Sequence, residues 1–273
     1  MWPDQGGYLQ VASPLVAGIR FDEASAVQRT APGAYGAQLD AEWGFDGNVN
    51  GGYLLVLLAR AAMDHTGTAF PHVISASFLR PAGQGSVEVE VIPVRGGRTA
   101  THVVAVLSQR NEPVVHATLV LGRIPEGGAQ HPAPTPDMPA EDDCVPLTGR
   151  REITGFLERV QISYVPGYGP HDPGNEPVVR GWVRLRSGEP IDTLVGLLAT
   201  DLLVPTVARI GHRAWAPTVQ MTVQMHRPPV AGPLAVEAEA GELRDGWFDE
   251  EARVFDAAGN LIARGRQLAR LPR

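Results

Sequence analysis

Asp201 stands seven, four and three residues after Leu194, Leu197 and Leu198, so a helix through this run would carry its carboxylate on an apolar face. An ionised carboxylate there is costly unless it is hydrogen-bonded or put to work as a base. The structural alternative is a helix-end Asp that caps a local turn near Pro205. Gln267 shares a strand face with Leu261, Ala263, Gly265, Ala269 and Leu271. An amide on such a small, apolar face must find partners, either a bound water or an adjacent strand or loop. Thr218 opens a run in which Val219, Met221, Val223 and Met225 alternate with polar residues. Simple alternation assigns it to the polar face, unless the alternation has not yet begun at the strand's first residue.

Asn50, Gly51 and Gly52 precede a long apolar run. Backbone N–H groups at a helix N-terminus suit a substrate carbonyl and its developing oxyanion. A tight turn with a close helix–sheet contact explains the same glycines. His116 in VVHATL and His226 in HRP could serve as bases, though a strand histidine bonded into the structure is the commoner arrangement. The 8 histidines show no metal-ligand spacing, and HExxH, GxSxG and GxGxxG are all absent. All 23 basic residues are Arg, which excludes Schiff-base chemistry, a pyridoxal-phosphate lysine and a Walker-type phosphate loop.

These residues need elements to position them. Asn48–His65 reads NVNGGYLLVLLARAAMDH, with Leu54, Leu57, Leu58, Ala61 and Ala62 on one helical face and Leu55 and Val56 on the other. A helix apolar nearly all round is buried, and Asn50 is its candidate N-cap. Strand-like runs follow at Val73–Pro81, Ser86–Val94, Thr99–Gln109 and Pro113–Leu121, predicting a four-stranded meander curled around the helix. The plan then repeats. After a strand at Val178–Arg186 and an apolar helix at Ile191–Ala208 come strands at Ala216–Arg227, Leu234–Leu243, Trp247–Phe255 and Leu261–Leu271. Arg80-Pro81 corresponds to Arg227-Pro228, and Gly97-Arg98 to Gly246-Trp247, which points to a duplicated domain whose two sheets join edge to edge. The expected boundaries are an N-terminal unit over 20–124, a Pro-rich acidic linker over 125–149 and a C-terminal unit over 150–273, with residues 1–19 a loosely packed arm.

Composition narrows the function. An apolar share of 44% and a charged share of 19% over 273 residues are those of a globular protein with a real core. A net charge of −7 argues against nucleic acid or an anionic membrane as the main partner. The lone Cys144 allows no internal disulfide, so a reducing, cytoplasmic setting is expected. The start MWPDQGGYLQ has no secretory pattern, and no apolar run approaches the roughly 18 to 20 residues of a membrane span.

Trp43, Asn50-Gly51-Gly52-Tyr53, Ser77-Phe78-Leu79-Arg80-Pro81 and Gly96-Gly97-Arg98, with Ala199-Thr200-Asp201-Leu202, Pro217-Thr218-Val219, Met225-His226-Arg227-Pro228 and Ala263–Leu268, occur in the order and spacing of one family. Over roughly residue 20 to the C-terminus the chain resembles the double-hotdog acyl-CoA thioesterases. The resemblance implies an α+β fold of two tandem hotdog units, each a long helix wrapped by an antiparallel sheet. It implies hydrolysis of acyl-CoA, in lipid metabolism, by a water held by an Asp, a Thr and a Gln, which would be Asp201, Thr218 and Gln267. No cofactor or metal is required, Asn50, Gly51 and Gly52 would contact substrate, and a homodimer or higher homo-oligomer is expected. At the first-half equivalents of Gln267 and Thr218 stand Thr118 and Pro71, so one working site per chain is expected. The rival reading is a non-catalytic acyl-CoA or lipid-binding protein of the same fold, favoured by the facing of Thr218. Enoyl-CoA hydration is disfavoured, because no Asp is followed five residues later by His.

Overall fold

The interior helix expected over 48–65 is present in the computed structural model, which describes residues 20–272 apart from 46, 149–153, 173, 175 and 213–215. The arm expected over 1–19 lies outside the described residues. Ahead of the helix come a one-turn helix, α1 (Phe21–Ala24), and strands β1 (Gln28–Ala31), β2 (Ala34–Leu39), β3 (Gly44–Phe45) and β4 (Asn48–Val49). The helix, α2, spans Gly51–Thr66, and its residues from Gly52 to Ala59 are all buried, with Ala61 and Ala62. Its ends follow from side-chain chemistry. The Asn50 Oδ1 accepts from the Tyr53 N–H at 3.0 Å, and Gly67 closes the helix at φ 65°, a left-handed position natural to glycine.

Strands β5 (Phe70–Phe78), β6 (Gly85–Gly96), β7 (Thr101–Gln109) and β8 (Glu112–Gly122) follow. Within β6 the valines 87, 89 and 91 are buried and Glu88 and Glu90 exposed, the alternation of a half-buried strand. The later elements are β9 (Val145–Pro146), α3 (Thr154–Arg159), β10 (Val160–Tyr164), β11 (Val178–Leu185), α4 (Thr193–Ala199), β12 (Thr218–Met225), β13 (Leu234–Arg244), β14 (Trp247–Phe255) and β15 (Leu261–Arg270). One 13-stranded sheet runs in the order β1-β2-β6-β7-β8-β5-β12-β15-β14-β13-β11-β10-β9. Its pairings are antiparallel, and few residues are helical, so the fold is α+β.

Two expectations change. The four strands after α2 are not a simple meander: β6, β7 and β8 are, but β5 pairs with β8 and, on its other side, with β12. The connection after β5 does not turn back as a hairpin. It passes the start of α2, where the Val49 N–H donates to the Ala82 carbonyl at 2.8 Å. The C-terminal strands behave alike, with β12 beside β15 rather than β13. The second correction concerns the apolar helix expected over Ile191–Ala208. Its regular part, α4, stops at Ala199, and a 3₁₀ turn occupies Thr206–Ile210. Pro205 offers no N–H to a continuing helix and disfavours helical backbone at Val204.

The Pro-rich stretch after β8 is irregular but docked. Thr135 donates to the Gly259 carbonyl at 3.1 Å, the Pro139 carbonyl accepts from the Trp182 indole at 2.9 Å, and Glu141 pairs with Arg184. Short elements without periodicity, α1, β1, α3 and β10, were not expected from the sequence.

Helices α2 and α4 meet end to end at Gly52. A Cβ built there would lie 2.9 Å from the Leu198 carbonyl oxygen and 3.1 Å from Asp201 Cβ. Gly52→Ala must therefore push the two helix ends apart, and a cost of about 1–3 kcal/mol is expected. A urea denaturation curve checks this; an unchanged midpoint would show that the contact yields freely.

Candidate active site

Asp201 sits in the turn just after α4, two residues past its last helical residue. The helical-face argument thus stops short of it, yet the side chain is still carried inward. Its Oδ2 accepts from the Gly52 N–H at 2.9 Å and from Asn50 Nδ2 at 3.1 Å, and the same Nδ2 donates to the Asp201 carbonyl at 2.8 Å. The carboxylate therefore caps the N-terminus of α2, where unpaired N–H groups and the helix dipole favour negative charge. Both of these bonds to the carboxylate end on Oδ2. Burial pushes the Asp201 pKa up from 3.8 to about 6; the Gly52 N–H opposes this, the Glu250 charge adds to it, and Asn50 and the Gly51 N–H oppose it.

The sequence expectation for Asn50, Gly51 and Gly52 changes accordingly. Their donors were expected to stand open to a substrate carbonyl, but those of Gly52 and Asn50 are taken by Asp201. The glycines are needed for the same reason. A Cβ at Gly51 would lie 2.9 Å from Asp201 Oδ2 and 3.2 Å from the Phe78 ring.

Thr218 and Gln267 are brought together, with Thr218 Oγ1 donating to Gln267 Oε1 at 2.5 Å. Simple alternation had placed Thr218 on the opposite face. A bulge between Thr218 and Gln220 resolves this: Thr218 pairs with Ala269, whereas Gln220 pairs with Leu268 and Met221 with Gln267. The extra residue returns Thr218 to the face that carries Gln267. That face lies under α4, because a Cβ on Gly265 would lie 3.1 Å from Thr200 Cβ. The end of α4, at Thr200 beside Asp201, thus lies over Gly265, two residues from Gln267 on the same face of β15.

Sequence reasoning passed over Glu250. It is buried on β14 directly opposite Gln267, whose Nε2 donates to its Oε1 at 2.8 Å. Its Oε2 accepts from the Thr206 N–H and from Thr206 Oγ1, both at 2.8 Å. Burial raises its pKa against the pull of these bonds. The signal was available: Phe248, Ala252 and Val254 place Glu250 on an apolar face by the test that marks Gln267. His116 and His226, the alternative bases, are both exposed. Among the described residues no group of His, Cys, Asp and Glu could hold a metal ion, and no helix is long and apolar enough to cross a membrane.

Comparison with known proteins bears on this geometry. A family model described as acyl-CoA thioesterase N-terminal domain matches residues 39–122, and one described as acyl-CoA thioesterase C-terminal domain matches 129–271. An uncharacterized protein of Mycobacterium tuberculosis is 29% identical over 268 residues, which is 86% of this chain and 90% of that one. Among solved structures, a candidate thioesterase II from Thermobifida fusca is 33% identical with a TM-score of 0.87, covering 95% of this chain and all (100%) of that one. A hot dog fold protein of unknown function from Alicyclobacillus acidocaldarius is 24% identical with a TM-score of 0.85, over 93% of this chain and 98% of that one. An acyl-CoA thioesterase II from Mycobacterium marinum shares the fold at 17% identity and a TM-score of 0.73, over 92% of this chain and 98% of that one.

The raised pKa has a consequence for stability. The fold favours the neutral carboxyl of Asp201, so its contribution is full below pH 3.8 and is lost as the pH rises through about 6. Asp201→Asn, neutral throughout, is expected to be more stable than the native protein by about 1–3 kcal/mol near pH 7, with the gap closing below about pH 4. Denaturation curves at the two pH values check this, and equal stability near neutrality would overturn it.

Proposed function

The chain belongs to the acyl-CoA thioesterase family, and from that premise we propose that it hydrolyses an acyl-CoA thioester to the free acid and CoA, using a water held by Asp201, Thr218 and Gln267. The observation that carries the reading is the bonded pair Thr218–Gln267, which the bulge in β12 gathers on one face beneath the end of α4. The same irregularity stands at the equivalent place in β5, between Pro71 and Val73, so it is the polar pair Thr218–Gln267, and not the bulge itself, that supports the reading. The rival reading of a non-catalytic binding protein drew on the facing of Thr218, and that ground is gone.

In the proposed reaction the water donates one hydrogen to Asp201 Oδ1, the oxygen other than the one that Gly52 and Asn50 bond, and another to Thr218 Oγ1, while its oxygen accepts the second amide hydrogen of Gln267. Its oxygen attacks the thioester carbonyl while Asp201 takes the proton, acting as general base. The tetrahedral adduct collapses with cleavage of the C–S bond, and the proton on Asp201 passes to the departing thiolate. A base whose pKa lies near 6 is ionised at neutral pH yet basic enough to accept a proton. Asn50, Gly51 and Gly52 act in this scheme by holding the base.

We also read the chain as two tandem hotdog units, 20–124 and 150–273, joined through 125–149. Two matches, N- and C-terminal, in that order along the chain support it. So does the central pairing: Ser75 and Thr222 are direct partners across β5 and β12 and lie 147 residues apart, the separation of Arg80-Pro81 from Arg227-Pro228. At a local two-fold axis in an antiparallel pair each residue meets its own equivalent, so this spacing is what a duplication joined edge to edge requires.

Free-thiol release across acyl-CoA substrates from acetyl to palmitoyl tests the reaction. Asp201→Asn is expected to lose about 10²- to 10⁴-fold in kcat with little change in KM. The native kcat/KM should fall on the acid side of about pH 6, as Asp201 is protonated. No turnover by the native protein, or full turnover by the variant, would sink the proposal.

A further inference from the structure

Glu250 is a buried carboxylate to which the reaction above gives no task. Its two oxygens serve different parts of the site. Oε2 takes both donors of Thr206, which opens the 3₁₀ turn five residues beyond Asp201. The intervening segment has a second pin, because the Val204 N–H donates to the Tyr164 hydroxyl at 3.1 Å. Oε1 takes the Gln267 amide hydrogen at 2.8 Å.

The direction of these bonds matters as much as their presence. Glu250 accepts at both oxygens, so Gln267 turns its NH₂ to Glu250 and its Oε1 to Thr218. Thr218 then spends its single proton on Gln267 at 2.5 Å. Its oxygen is left with lone pairs and no hydrogen to give, so it can only accept from a water. A water that donates to Thr218 and to Asp201 has its own lone pair free for attack.

We propose that Glu250 is a positioning residue that ties the Asp201 segment to the Thr218–Gln267 pair and sets the direction in which their hydrogen bonds run. The inference rests on the thioesterase reading for the reaction, and on the geometry alone for the positioning. The titratable groups that sense the Glu250 charge are Asp201, from the turn after α4, and Tyr164, from β10. Removing that charge lowers the pKa of Asp201.

Glu250→Gln and Glu250→Asp, measured beside Asp201→Asn, test the proposal. The Gln side chain keeps the shape but has one acceptor oxygen where two were in use. It is expected to lower kcat about 100-fold with KM within about twofold, and to move the acid limb of kcat/KM to lower pH. Glu250→Asp keeps the charge and cannot reach both partners, so kcat should fall while the acid limb stays in place. Native-like kcat in both variants, or a Glu250→Gln loss without movement of the acid limb, overturns the positioning role. Full turnover by Asp201→Asn, or none by the native protein, removes the thioesterase reading instead. A crystal structure of Glu250→Gln then decides the positioning by itself: a turned Gln267 amide or a displaced Thr206 supports it, and unchanged partners overturn it. If Glu250→Gln does not fold, the kcat and acid limb of Glu250→Asp carry the decision.

Discussion

The hydrogen bond from the Gly52 N–H to the Asp201 carboxylate makes demands on almost everything around it. A helix start must lie against a helix end, which requires that neither Gly51 nor Gly52 carry a side chain. The second helix must end early, so that Asp201 leaves it and turns toward its partner. Asn50 must do two things at once, capping its own helix through Oδ1 and gripping Asp201 through Nδ2. Burial raises the cost of the charge, while the helix dipole and the donors reduce it, and the balance leaves the group ionised but under strain at neutral pH. A carboxylate fully relieved by its donors would be a poorer proton acceptor.

The remaining polar groups are mounted differently. Thr218, Gln267 and Glu250 stand on three neighbouring strands, β12, β15 and β14, whose ladders fix their separation. Strands hold side chains more tightly than loops do, and each of the three is further held by the next. Asp201 is the exception, a residue of an irregular segment. It is therefore the one for which the structure supplies extra fastenings, at Asn50, Gly52, Val204 and Thr206.

Periodicity carried the sequence reading where residues repeat at regular intervals. The long buried helix and the alternating strands are visible in Leu54 to Ala62 and in Val87 to Val91, because burial on a regular element imprints its spacing on the chain. The neighbour relations of β5 and β12 are not visible, since strand order depends on where a connection passes and not on the residues of either strand. Thr218 was misplaced by the same logic that placed Gln267, because one bulged residue inverts alternation and nothing at Val219 announces it. Asp201 was singled out by a helical spacing that its own helix does not reach. The chain turns inward there, so the carboxylate reaches the start of α2 without the helical step that was to carry it. Glu250 was legible and went unread among the charges of WFDEEARVF.

The site is also a matter of time. Asn50 and Asp201 are 151 residues apart, and on the ribosome α2 emerges long before its capping carboxylate has been made. Until then the Gly52 amide at the head of a strongly apolar helix lacks its partner, and the edge of β5 that will receive β12 is unpaired. An open strand edge beside a buried helix is the kind of surface that associates with whatever is near. The first half of the chain thus passes through synthesis as an unfinished structure, exposed to mispairing with another nascent chain at the edge that its own second half later closes.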